Sequence, residues 1–171
     1  MRRLLIALFC SATTLSAQQS RAMVGLAGWN DKFPIEDVVI PFTLDAPVGK
    51  AYAAVKTAYE DLNLTIDMDN PAGGLVGVQL FRGQTNFAGF RMSRLFDCGS
   101  GTTGAQNADS YRLTIVFLTL VDKQDATHTK IRVGAVASGV PTGGGRSAGV
   151  QCGSTGILEQ KLVELAGAHL K

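Results

Sequence analysis

The run from residue 111 to residue 122 is apolar on both of its faces, and this constrains the fold more than any other feature. Tyr111, Leu113, Ile115 and Phe117 fall on one side of an extended chain. Arg112 and Thr114 begin the other side, which turns apolar at Val116, Leu118 and Leu120. Successive side chains of a strand point to opposite faces, so a strand of this pattern needs cover on both, which is the position of a central strand. A second long β run, residues 129–140, follows after a polar turn at 122–127. Its natural place is antiparallel to the first.

The remaining elements are arranged around this pair. Residues 38–42 read as a short strand, with Pro41 suggesting an edge because proline donates no ladder hydrogen bond. Asp45 and Pro47 open a helix whose apolar residues Val48, Ala51, Tyr52, Val55, Tyr59 and Leu62 form one stripe, and Asn63 can end it in a left-handed conformation. Period-two alternation at 64–68, a turn at 70–74, and β patterns at 75–82 and 91–97 predict three more strands. A last helix runs from about Gly156 to Leu170. Ser154 or Thr155 is placed to cap it, and Leu158, Leu162, Leu165 and His169 share a face. The expected order is β-α-β-β-β-β-β-α, an α+β domain in which an antiparallel sheet carries two helices on one face.

At the N-terminus, Met1-Arg2-Arg3 precedes an apolar run over residues 4–15 and the small, polar stretch Ser16-Ala17-Gln18. These are the three parts of a secretory signal peptide, and the apolar run falls short of the ~20 residues needed to span a bilayer. Residues 1–17 are therefore read as a signal peptide, 18–35 as a flexible lead-in, and 36–171 as one domain. Cys10 follows Phe9 where a lipid-attachment site needs a small residue, so lipidation is set aside. Loss of Arg2 and Arg3 reduces 16 basic residues to 14, against 14 acidic ones. A neutral chain without a basic run releases few counterions, which excludes nucleic acid as an expected partner.

Cys98 and Cys152 remain after the leader. In an oxidising compartment such a pair reads as a disulfide, expected to pin the last helix to the sheet. The competing reading is a reactive thiol at Cys152, just before a helix N-terminus.

Two motifs look chemical and fail on context. Residues 99–104, Gly-Ser-Gly-Thr-Thr-Gly, match the dinucleotide fingerprint, but no helix is expected before the next strand. Residues 145–149, Gly-Arg-Ser-Ala-Gly, match a nucleophile elbow around Ser147. The acids and the histidine downstream, Glu159, Glu164 and His169, all sit on one short helix and cannot surround that serine as a triad does. His128 and His169 lack ligand partners at a metal spacing, and Asp67, Asp69 and Asn70 offer at most a weak calcium site. No catalytic residue, metal or cofactor is expected.

The pattern Asp97-Cys98-Gly99 with Gly101 and Gly104, then Asn107-Ala108-Asp109-Ser110-Tyr111, closing with Cys152, Ser154-Thr155-Gly156 and Leu158-Glu159, resembles a family of small exported bacterial proteins of no known activity. In the order of its elements the chain also looks like the domains of the lipoprotein subunit of the outer-membrane barrel-assembly machine, a likeness of topology that does not carry function. With the signal peptide cleaved, the expected location is the periplasm or the exterior.

Three functional readings follow. The first is a non-catalytic envelope or secreted module that binds another macromolecule, such as an envelope protein, through the glycine-rich loops. Gly99, Thr102, Thr103, Gly143 and Arg146 are its candidate binding residues. The second is a carrier of a small apolar ligand held between sheet and helices, lined by Phe81, Phe87, Phe90, Phe96 and Phe117. The third is an enzyme whose chemistry follows no familiar motif.

Overall fold

A computed structural model describes residues 23–25, 32–83, 85–142 and 149–171. The leader, Gly143, Arg146 and Ser147 lie outside the described residues. Strands β1 (Met23–Gly25) and β2 (Lys32–Pro34) pair antiparallel, followed by a 3-10 turn at Ile35–Asp37. Next come β3 (Ile40–Leu44), helix α1 (Val48–Asp61), β4 (Met68–Asn70) and β5 (Leu75–Arg82). The short strands β6 (Asn86–Phe87) and β7 (Phe90–Arg91) form a hairpin that leads into the single-turn helix α2 (Met92–Leu95) and strand β8 (Phe96–Asp97). Helix α3 (Asn107–Ser110), also a single turn, precedes the two long strands β9 (Tyr111–Lys123) and β10 (Thr129–Pro141). Strand β11 (Val150–Ser154) and helix α4 (Ile157–Ala168) complete the chain.

Strands β9 and β10 form the centre of a seven-stranded antiparallel sheet, with β5 and then β4 beyond β9. The outer edge of β10 is shared by two strands. β3 pairs with Thr129–Val133, and β11 pairs with Val136–Gly139, with β8 outside it. Between these pairings the sheet splits at Gly134 and Ala135. A Cβ on Gly134 would lie 2.3 Å from the Val38 carbonyl oxygen, so glycine is what lets the chain entering β3 cross the split.

Both helices pack on one face, as the α+β pattern requires. α1 buries Ala51, Ala54, Val55, Ala58 and Tyr59, and α4 buries Leu158, Leu162 and Ala166, all in one core with Leu113, Ile115, Phe117, Ile131 and Val133 of the sheet. Each fully buried Leu, Ile or Phe stabilises this layer by roughly 1.5–3 kcal/mol. The Tyr59 ring lies 5.1 Å from that of Phe117, and its hydroxyl shares a 3.1 Å hydrogen bond with Thr119. The second face, Val116, Leu118 and Val136, is covered by Val24 and Ile35.

Several local expectations need correction. Where an aperiodic lead-in was expected, the described residues form the β1–β2 ribbon and its 3-10 turn, held by burial of Val24 and Ile35. The strand expected at 91–97 is broken by α2. Met92 and Leu95 are both buried at a one-turn spacing, and Asp109 accepts the Ser93 N–H (2.9 Å) and Oγ–H (2.8 Å), capping that turn from outside. Residues 64–67 are not strand, and pairing begins at Met68. Asp45 makes no cap, since α1 starts after Pro47 without a side-chain bond, whereas Asn63 is left-handed at φ 56°. β11 was not expected at all.

Candidate functional site

The cysteine pair comes together as a disulfide, with a Cα–Cα distance of 4.3 Å. Its mechanical role differs from the expected one. Gly153 lies opposite Asp97 and Ser154 opposite Phe96, so Cys152 and Cys98 are the next facing pair of β11 and β8. The bond therefore staples two strands at the sheet edge, and α4 begins only beyond Gly156, whose φ of 86° makes the turn into the helix. Neither expected capping side chain closes that helix in the expected way. Ser154 Oγ accepts the Gly156 N–H, and the Thr155 hydroxyl donates instead to the Arg94 carbonyl at 2.6 Å.

From Cys98 the chain enters the glycine-rich loop. Asp97 Oδ1 accepts the Gly99 N–H at 2.8 Å, Gly101 N–H donates to the Ala105 carbonyl at 2.9 Å, and Gly104 N–H donates to the Gly101 carbonyl at 2.9 Å. Asn107 closes the loop by donating from its backbone to the Gly99 carbonyl and from its side chain to the Cys98 carbonyl. Left-handed Gly99 and Gly104, at φ 71° and 78°, make these turns possible. Thr102 and Thr103 sit at the exposed apex. Beside the loop, Ser93, Asp97, Ser100, Gln106 and Thr155 line an open recess of hydroxyl, amide and carboxylate groups.

This geometry settles the dinucleotide match. The loop is preceded by a two-residue strand and followed by one helical turn, α3, where no helix was expected. A helix of one turn aligns too few peptide dipoles to hold a pyrophosphate. The elbow motif runs into strand β11 where a nucleophile elbow needs a helix. The side chains of Asp67, Asp69 and Asn70 are each engaged elsewhere. Asp67 accepts the Gln79 N–H, Asp69 takes the Tyr52 hydroxyl and Lys56, and Asn70 accepts the Gly73 N–H. His169 lies exposed, 2.7 Å from Asp61, rather than on the apolar face of α4. Of the five phenylalanines, Phe96 and Phe117 are buried in the core and Phe81, Phe87 and Phe90 pack against it, with the Phe81 and Phe87 rings tilted at 5.1 Å and Phe90 under the Arg94 guanidinium.

The residue that sequence reasoning missed is Glu159. It is fully buried, in the first turn of α4. Its Oε1 accepts the Ala135 N–H at 3.1 Å and its Oε2 accepts the Ser154 hydroxyl at 2.8 Å. Ala135 lies where β3 and β11 part, so the carboxylate takes the donor that no strand reaches. Burial raises the Glu159 pKa above its ordinary value, partly offset by the hydrogen bonds from Ser154, its own N–H and Ala135. The only sequence signal is that Glu159 adjoins Leu158 and lies three residues before Leu162, inside the apolar sector.

Among the described residues no helix is long and apolar enough to cross a membrane. Comparison with protein-family models, with curated proteins and with solved structures finds no match to this chain.

Proposed function

We propose that this protein is a non-catalytic module, exported to the periplasm or beyond, that binds another macromolecule. The observation that supports this most directly is the loop 99–106: exposed throughout, yet fixed at its base by the disulfide and by four backbone or Asn107 hydrogen bonds. A surface loop ordered before it meets a partner loses little entropy on binding. Thr102 and Thr103 at its apex, with the polar recess beside it, would make the contacts.

The test is photocrosslinking in the source cell, with a photoreactive residue at Thr102 or Thr103 and a control at the buried Val55. A discrete adduct from the loop positions alone supports the reading. No adduct from either, together with a native mass spectrum carrying extra small-molecule mass, would replace it with the carrier of a small apolar ligand.

A further inference from the structure

On the second face of the sheet, an apolar cleft lies beside two arginines that have no carboxylate partner among the described residues. The cleft is about 80 Å³, formed by Val24 and Ile35 above and by Met68, Leu75, Val116 and Leu118 below, with Met23 at its lip, half exposed. Residues 112, 114, 116 and 118 of β9 share this face, and Arg82 of β5 is directly opposite Thr114. A β-bulge between Val78 and Phe81 brings Arg82 onto this face. Without that extra residue it would point toward the helices. Gln79, within the bulge, lines the cleft itself. Arg82 is thus one row from the cleft wall at Val116, and Arg112 is one row further, about 7 Å per row along the strand.

The charge at the two ends of this face is unequal. At the far end, Arg132 donates to Asp122 at 2.9 Å. At the near end, both Arg82 and Arg112 are exposed, and among the described residues neither makes a salt bridge. Asp67 is engaged by the Gln79 N–H within the bulge, and Asp69 by the Tyr52 hydroxyl and Lys56. Glu36 and Asp37, which follow Ile35 on the cover, form no ion pair with either arginine.

We propose that this face docks an extended acidic segment of a protein partner, with one aliphatic side chain in the cleft and carboxylates one to three residues away on Arg82 and Arg112. Cleft size chooses between apolar occupants. A volume of about 80 Å³ admits a single side chain, whereas ligand pockets that enclose a drug-sized or lipid-like molecule run to several hundred Å³. Charge complementarity selects the acid, and the two exposed guanidiniums offer bidentate geometry to carboxylates. The proposal deepens the module reading by naming a surface and a partner chemistry, and it is separable from the loop 99–106.

The probe is a synthetic peptide with one leucine followed by three glutamates in a Gly/Ser background, titrated into the 15N-labelled protein. The expected result is saturable shifts at Gln79, Arg82, Thr114 and Val116. Affinity should fall by roughly tenfold or more in Arg82→Glu/Arg112→Glu, with similar losses when the peptide leucine becomes serine or its glutamates become lysines. Both arginines are exposed, so the variant is expected to keep the wild-type spectrum elsewhere. Thr102→Ala/Thr103→Ala should bind as wild type. Absence of shifts at millimolar peptide, or binding unchanged by the double arginine reversal, overturns the proposal. Binding lost only in the threonine variant would overturn it while leaving the module reading in place.

Discussion

At the scale of single residues, Glu159 does what a strand would otherwise do. Its carboxylate accepts the Ala135 N–H at the split in the sheet and ties it to Ser154 at the end of β11. Truncation to alanine would leave a buried N–H and a hydroxyl without that acceptor and open a cavity. Glu159→Ala is therefore expected to lower unfolding stability by about 3 kcal/mol or more, measured by urea titration. Glutamine keeps an acceptor in the same place without the charge, and pH then separates the two variants. Burial raises the carboxyl above 4.5, so the folded state holds the proton more tightly than the unfolded chain. Its contribution is present below about pH 4.5 and is lost as pH rises through the raised value. The melting temperature of the wild type relative to Glu159→Gln should accordingly fall between pH 4 and pH 8. A difference that stays constant over that range would show that burial is compensated.

At the scale of elements, the disulfide joins β8 to β11 across a loop closed by a sequence separation of 54 residues. Chain entropy alone would make it worth roughly 4 kcal/mol. Cys98→Ser should lower the melting temperature, and Cys152, fully buried, should react with a thiol reagent only as the edge opens. An unchanged melting temperature would mean that the β8–β11 pairing and Thr155 hold that edge unaided. A second element-level test is Gly134→Ala, which sets a methyl against the Val38 carbonyl and should destabilise the protein by roughly 1–3 kcal/mol. These elements also show what the sequence could reveal. β9, β10, α1 and α4 were legible because their periodicity extends over many residues and one or both faces are buried. β11 was not, because only Val150 and Cys152 of its five residues are apolar and it is held by pairing and the disulfide. α2 was not, because its cap comes from Asp109, distant in sequence. The loop residues Gly99, Thr102 and Thr103 were legible as a loop, but the hydrogen bonds that fix them depend on long-range closure.

For the molecule as a whole, the borders of the sheet bear on solubility. β3 carries Pro41, β8 has two residues and β4 three, and beyond β4 the bulged stretch of β5 has the Gln79 N–H occupied by Asp67. Short strands, proline, bulges and charge are what prevent edge-to-edge pairing. The protein is expected to sediment as a monomer. Pro41→Thr combined with Asp67→Ala should move part of the sample to dimer or larger species, and a variant that stays monomeric would show that the edges are closed by other means. The arginines of the second face were visible in the sequence only as two scattered charges. Their common face follows from the one-residue bulge, which local pattern does not announce.

The split edge of β10 also has a consequence in time. One half of that edge is closed by β3, which precedes it by almost ninety residues, and the other half by β11, which follows it. A chain that emerges from a ribosome or a translocation pore does so from its N-terminus. The long hairpin of β9 and β10 therefore appears with β3 already available, while the half at Val136–Gly139 stays bare and Ala135 waits for its acceptor. Until residues 150–159 are out, the order of synthesis itself holds the protein open, and its last helix closes the structure behind it.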